Sequence, residues 1–264
     1  MARVIASVDS TVPLSRFVES VRTIAPGGDR AWRLDRLPDG RTSLVFRVLE
    51  EGRRGDITVV GPRTRSLLKE ASGSAKAVVL DFKPGWSRPL LGGTADEMKN
   101  GLVALEHLWG QSATDLSREL LGATSVPELL ARIARSFAER LSPTFEPTSA
   151  RLARHAVRVL EQEDLRVDGL AERLGVTTRH LHRAFVENIG VGPKEFARSI
   201  RLQRALRLTA TSSDWGRIAL GAGYYDQSHL IADFQRLVGL TPGAFLKRAN
   251  GMESAALLSP EAWG

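Results

Sequence analysis

Two periodicities divide the chain. Up to about residue 90, apolar positions come in short runs, at 31–34, 42–49, 57–62 and 76–82, punctuated by Pro38-Asp39-Gly40, Arg53-Arg54-Gly55-Asp56 and Pro84-Gly85. Runs of that length, rich in Val, Ile, Leu and Phe and bounded by turn residues, predict strands. Several of them in succession predict a small sheet, sandwich or barrel. From about Thr94 the period lengthens to that of a helix. Thr94-Ala95-Asp96-Glu97 offers a cap, and 115–122 reads as a helix closed by Gly122. Ser125-Val126-Pro127-Glu128 is a fuller start signal: a Ser N-cap, Pro in the first turn and Glu three residues on. With Leu129, Leu130, Ile133, Phe137 and Leu141 along one face, it predicts a helix over 126–140.

Two prolines within five residues, Pro143 and Pro147, stop that helix and mark the expected domain boundary. The expected organisation is a β-rich N-terminal domain with a helical C-terminal part over 1–142, a linker over 143–149, an all-helical domain over 150–250 and a loose tail over 251–264. Helices are expected over 150–162, 166–174, 178–189, 193–209 and 242–248, with two more between 213 and 238. The fold class is α+β.

Within the helical domain a single theme is stated twice. Phe185, Gly190, Pro193 and Phe196 recur as Phe234, Gly239, Pro242 and Phe245, and upstream Ala171, Gly175, His180 and Leu181 answer to Ala219, Gly223, His229 and Leu230. Each copy reads as a helix, a turn around Gly and a second helix, which is the pattern of a helix-turn-helix. The two units are joined by the long helix that opens at Pro193. Its length, roughly 25 Å at the usual rise, suits two second helices entering successive major grooves.

Charge agrees with this division. Residues 151–250 hold 16 Lys and Arg against 10 Asp and Glu, most of the net +7 of the chain. A phosphate-binding surface needs such an excess, although a solvated basic face has the same composition. The 264 residues contain no cysteine, which removes disulfides, thiolate metal sites and cysteine nucleophiles. No run is apolar enough to span a bilayer, and Asp9 interrupts any signal-peptide core, so a cytoplasmic protein without membrane contact is expected.

In the first unit the second helix should bury Leu181, Ala184 and Phe185 and present Thr178, Arg179, His182 and Arg183. Arg179 and Arg183 are four apart, so both project from one face, and arginine can donate two hydrogen bonds to guanine. In the second unit Leu230 and Phe234 should be buried, leaving Gln227, Ser228, Ile231 and Ala232 outward. That helix is expected to carry no cation, and Asp233 to oppose a phosphate. Arg198, Arg201, Arg204 and Arg207 recur every third residue along the joining helix, a spacing that drifts around the axis. Phosphate contacts are expected from Thr177, Thr178, Arg198 and Arg201. Trp32 and Trp86, with Trp109, are candidates to line an effector pocket, although core packing is the preferred role for each. His180 and His182 point to different faces, His229 sits at a packing position, and His107 and His155 have no partner at ligand spacing, so no metal site or cofactor is expected. Gly92-Gly93 lacks the lysine and spacing of a phosphate loop.

These residues resemble the AraC/XylS family of bacterial transcription regulators. The resemblance is carried by Leu170-Ala171-Glu172-Arg173-Leu174-Gly175-Val176, Arg179-His180-Leu181-His182-Arg183-Ala184-Phe185, Arg201-Leu202-Gln203-Arg204-Ala205, Gly223-Tyr224-Tyr225-Asp226-Gln227-Ser228-His229-Leu230, and then Phe234, Gly239, Thr241, Pro242 and Phe245. It implies a sequence-specific regulator bound to double-stranded DNA, controlled by an N-terminal effector or dimerisation domain. Further partners in this reading are RNA polymerase, a small-molecule effector and a second copy of the chain. The family's base-reading positions fall on Arg179, His182 and Arg183 and on Gln227 and Ser228. Ala232 stands where many members carry Arg, which weakens the second unit as a reader. Pro38-Asp39-Gly40, Val60-Gly61-Pro62 with Thr64, and Leu108-Trp109-Gly110 resemble an N-terminal domain found in a subgroup of these regulators. Some relatives are DNA-repair methyl acceptors that need a cysteine, which this chain lacks. The alternatives are an N-terminal enzyme fused to a DNA-binding domain, for which no nucleophile elbow, metal cluster or paired carboxylates are found, and a DNA-binding protein without effector control.

Overall fold

The computed structural model describes residues 14–24, 32–49, 53–71, 76–141 and 146–250. The N-terminal domain is built on a five-stranded antiparallel sheet in the order β1-β6-β3-β4-β7, formed by β1 (Val18–Ile24), β3 (Ser43–Leu49), β4 (Arg54–Val60), β6 (Lys76–Phe82) and β7 (Leu102–Ala104). A separate antiparallel pair joins β2 (Trp32–Arg36) to β5 (Leu67–Ala71). Four strands fall on predicted runs; β1, β5 and β7 were not predicted.

β6 lies between β1 and β3 and is covered on both faces, which is why its sequence is almost continuously apolar. On one face Leu44, Phe46, Ile57, Val59, Val78, Leu80 and Phe82 meet Leu105, Trp109, Leu116, Leu120, Ile133 and Phe137. The latter come from α2 (Leu105–Trp109), α3 (Gln111–Leu121) and α4 (Val126–Arg140), and a short helix α1 (Arg88–Leu91) closes the same core with Leu90 and Leu91. On the other face Val45, Ala77, Val79 and Ile24 form a smaller cluster.

α4 has the predicted limits, and its Ser125 side chain accepts the Glu128 N–H as the capping sequence requires. The signal at Thr94 does not start a helix. Glu97 does reach back to the Thr94 N–H at 3.1 Å, but residues 95–100 form turns. The reason is tertiary: the Asn100 N–H, which a helix would pair internally, goes to the Pro62 carbonyl at 2.9 Å, and Asn100 sits at φ +58°.

One polar residue of β6, Asp81, is buried beside this smaller cluster. It accepts from Arg22 (Nη2, 2.8 Å), Ser20 and Ser43, and Arg36 Nη1 lies 3.5 Å away. Burial alone would push its carboxyl up; the two guanidinium groups and two hydroxyls outweigh burial and hold it down to about 2. Arg36 continues from this node into the loop beyond β2, donating to the Arg41 carbonyl at 2.9 Å and to Asp39.

The helical domain begins with α5 (Thr148–Gln162), two residues inside the expected linker. It continues with α6 (Val167–Arg173), α7 (Thr178–Ile189), α8 (Pro193–Leu208), α9 (Trp215–Gly221), α10 (Gln227–Val238) and α11 (Pro242–Asn250). Two cores form, as the repeat implies. One joins α5, α6, α7 and the start of α8 around Leu170, Leu181, Phe185 and Phe196; the other joins the end of α8 to α9, α10 and α11 around Leu202, Ile218, Leu230, Phe234 and Phe245. Phe185 packs edge-on against Phe196 at 5.8 Å, and Phe234 against Phe245 at 5.5 Å, so the repeated phenylalanines make the same contact in both units.

Candidate nucleic-acid interface

Both units use a left-handed glycine between their helices, Gly175 at φ +65° and Gly223 at φ +86°. In both, the chain then folds back on the first helix, Val176 N–H donating to the Ala171 carbonyl and Tyr224 N–H to the Ala219 carbonyl. The second helices start on side-chain caps: Thr177 accepts the His180 N–H at 3.1 Å, and Asp226 accepts the His229 N–H at 2.7 Å.

The two caps differ in charge. A helix N-terminus is electropositive and draws phosphate. Thr177 leaves that field intact at α7 and keeps a hydroxyl proton to donate, whereas the Asp226 carboxylate cancels it at α10 and repels an approaching phosphate.

On α7, Leu181, Ala184 and Phe185 are buried while Thr178, Arg179, His182 and Arg183 are exposed. Arg183 makes only a loose surface contact, 3.7 Å, with Glu187, and Arg179 has no ion pair among the described residues. Beside this face lies a concavity of about 640 Å³ whose lining includes Arg166, Thr178, Arg179, His182, Lys194 and Arg201. Its four cations outnumber the two acids of the same lining, Asp168 and Glu195. Lys194 and Arg166 were missed from sequence; the signal for Lys194 was its place in the first turn of α8, directly after Pro193.

On α10, Gln227, Ser228 and Ala232 are exposed, but Ile231 is half-buried against the second core. Asp233 does not face outward. It is buried, takes both Nε (2.9 Å) and Nη2 of Arg198, and lies 3.5 Å from the Tyr224 hydroxyl. Burial, and then the Asp233 charge, push the Tyr224 phenol up. Arg198 is thus committed to an internal ion pair and is withdrawn as a phosphate ligand. The expectation that α10 carries no cation is also corrected: Arg236 lies exposed in its last turn. Arg201 stays near the concavity, half-buried, 3.8 Å from Asp164 and over the Tyr224 ring. Tyr225, just before the α10 cap, is 86% exposed and was also missed.

Trp86 and Trp32 are not brought together here. Trp32 opens β2, and its side chain lies outside the described residues. Trp86 packs edge-on against Phe17 and holds the Arg154 guanidinium over its ring at 3.9 Å. It borders a cavity of about 280 Å³ between the two domains, whose walls include Arg16, Phe17, Arg88, Arg140 and Asn188. Asn188 is the penultimate residue of α7. Trp109 belongs to the core, its indole N–H donating to the Leu91 carbonyl at 3.2 Å. Among the described residues no group of three or more His, Cys, Asp or Glu could hold a metal ion, and no helix is long and apolar enough to cross a membrane.

Two helix-turn-helix units on one connecting helix, behind a separate sheet domain, define a double helix-turn-helix protein. Residues 170–248 match the family described as a helix-turn-helix domain, and residues 8–104 match a domain of unknown function (DUF6597). The chain is 31% identical over 157 residues to the HTH-type transcriptional regulator RipA of Corynebacterium glutamicum, covering 58% of this chain and 46% of that protein. It is 32% identical over 101 residues to the HTH-type transcriptional activator RhaS of Escherichia fergusonii, covering 37% and 36%. It thus spans less than half the length of these curated relatives. Among solved structures, ToxT of Vibrio cholerae aligns over 86% of this chain and 97% of its own at 13% identity, with a TM-score of 0.45. Residues 170–248 thus carry a helix-turn-helix domain, behind an N-terminal domain of unknown function over 8–104.

Proposed function

We propose that this protein is a cytoplasmic bacterial transcription regulator. In this reading residues 150–250 bind duplex DNA, residues 1–142 control that binding, and residues 143–149 join the two. The observation that carries it is the exposed cationic face of α7, held on a capped helix beside Lys194 and Arg201. Arg179, His182 and Arg183 read base edges, with Thr177, Thr178, Arg201 and Lys194 on phosphate. Gln227 and Ser228 read through α10, more weakly because Asp226 opposes close backbone approach. Regulation proceeds by binding, with no catalytic step.

A second observation supports an effector. Among the described residues no carboxylate pairs with Arg16, Arg88 or Arg140 at the interdomain cavity, and Trp86 supplies a flat apolar wall. Glu146, the one acid in the lining, is taken by Arg154. Burial pulls the guanidinium pKa of both Arg140 and Arg154 down, so an anion would relieve the cost of their charge. The cavity suits a small organic anion with a planar or aliphatic body, and Asn188 would carry its presence to α7.

The test is retention of fragments of the source genome on the full-length protein. Enrichment of fragments that share a motif with two half-sites supports the reading; retention without sequence preference overturns it.

A further inference from the structure

The sheet domain touches the helical domain at separated points, and these fall on both helix-turn-helix units and on the helix between them. On the first unit, the Ala95 N–H donates to the Glu187 carbonyl at 3.0 Å, and Arg88 Nη1 donates to Asn188 Oδ1 at 3.4 Å. Gly190, at φ +84°, ends α7 against the same segment, and a Cβ there would sit 2.6 Å from the Ala95 carbonyl oxygen. On α8, Gln203 Nε2 donates to the buried Pro38 carbonyl at 3.2 Å, and Gly40 lies flat on the Phe196 ring with no room for a side chain.

The contact with the second unit is of a different kind. Leu37, only 4% exposed, is a member of that unit's own core, enclosed with Leu202, Ile218, Leu230 and Phe234, and Leu68 packs beside it. The Ser66 N–H donates to the Leu237 carbonyl at 2.8 Å, near the end of α10. The second unit thus completes its hydrophobic core with a residue of the other domain.

The loop that carries Leu37 is stiff on its own side. Arg36 bonds the Arg41 carbonyl and reaches Asp39, Asp39 accepts the Arg41 N–H at 3.0 Å, and Arg36 is tied through Ser43 to the buried Asp81. A stiff loop seated in one unit, and a second segment bonded to the other, make a brace between two bodies that otherwise share α8.

We propose that the N-terminal domain is a structural part of the DNA-reading unit. The 37–40 loop and Ser66–Leu68 on one side, with Ala95 on the other, fix the placement of α10 relative to α7, and Leu37 is a positioning residue for two-groove recognition. This rests on the DNA-binding reading above. It follows that a change in the sheet domain reaches the spacing of the two reading helices directly, without passing through residues 143–149.

Because the chain has no cysteine, Glu172→Cys and Gln235→Cys place two spin labels on exposed positions of α6 and α10 in the full-length protein. The distance between them is measured with Leu37 intact, with Leu37→Ala and with Gln203→Met, which removes one donor and keeps the side-chain length. The expected result is one narrow distance in the parent and a broadened or shifted one in both variants; an unchanged distribution in both overturns the proposal. Affinity is then measured on a two-half-site duplex and on the same duplex with the α10 half-site scrambled. Leu37→Ala should lose about tenfold or more on the full site, since the second contact is no longer pre-placed, and stay within about twofold on the half-site. An equal fall on both duplexes for both variants also overturns it. A parent that binds neither duplex selectively removes the DNA-binding reading, and the distance measurement then judges the brace by itself.

Discussion

Replacing Asp233 by alanine tests the internal architecture of the second unit. The Asp233 side chain is 8% exposed and that of its partner Arg198 is 18% exposed. Two guanidinium donors converge on Oδ1, and the Tyr224 hydroxyl lies beside Oδ2. Removing one member of a buried ion pair leaves the other charged and without a partner, at a cost of about 3–5 kcal/mol. Arg198 retains some access to water, which places Asp233→Ala at the lower end, about 3 kcal/mol. At a slope of roughly 4–8 °C per kcal/mol for a domain of about 100 residues, the melting temperature of the helical domain should fall by about 12–24 °C. Arg198→Ala should cost a similar amount, while the paired change Arg198→Met with Asp233→Leu should cost less than either single change, because it removes the charge and its partner together. Urea denaturation of the full-length protein, the two single variants and the double variant measures all three losses. A loss below about 1 kcal/mol for Asp233→Ala would place the pair among solvent-exposed ones. Arg198→Ala that lowers the salt slope of DNA binding by about one would instead restore Arg198 as a phosphate contact.

Three further outcomes follow from other regions of the molecule. The Asp81 carboxyl, held at about 2 against an ordinary 3.8, should contribute stability that is complete above its unfolded pKa and lost as pH falls through its folded one. The size is about 2 kcal/mol, and the parent should weaken between about pH 5 and 2 while Asp81→Asn changes far less there; denaturation midpoints equally flat in both would refute it. Gly190→Ala and Gly239→Ala both alter a left-handed helix end, φ +84° and +81°, at an expected conformational cost of about 1–2 kcal/mol. Only Gly190 faces the Ala95 carbonyl and Pro62, so it should lose clearly more; equal losses in thermal melts would contradict the interdomain contact. Arg183→Ala should relax preference at one base position by about 1–3 kcal/mol in a competition assay over all single-base variants of the site, and an unchanged preferred sequence would displace it from the reading face.

The helical domain was largely legible from sequence because its signals are local. A capping residue, a proline in the first turn and a glycine at the end act within one turn; α7 runs over the expected 178–189, as α4 of the sheet domain does over 126–140. The buried faces of α7 followed from helical spacing alone. What depends on residues far apart was not legible. Asp233 was read as an outward acid because its partner Arg198 lies 35 positions away on another helix. Ile231 was read as exposed because the core around it is completed by Leu37 and by α11. In the sheet domain, β1 and β5 were missed because their sequences, Val-Glu-Ser-Val-Arg-Thr-Ile and Leu-Leu-Lys-Glu-Ala, are too polar to stand out without their partners. The Thr94 cap failed for a related reason: the Asn100 N–H that a helix would pair internally is taken by the Pro62 carbonyl, 38 positions away.

The central claim, that α7 and α10 read duplex DNA, is tested most directly by the affinity of the full-length protein for a genome-selected duplex and for a random duplex of equal length across a salt series. The account predicts binding to the selected duplex at least about 10³-fold tighter at physiological salt. It also predicts a linear fall of log affinity with log salt on both duplexes, at about 0.9 per phosphate neutralised. Equal affinity for the two, with little dependence on salt, would contradict it.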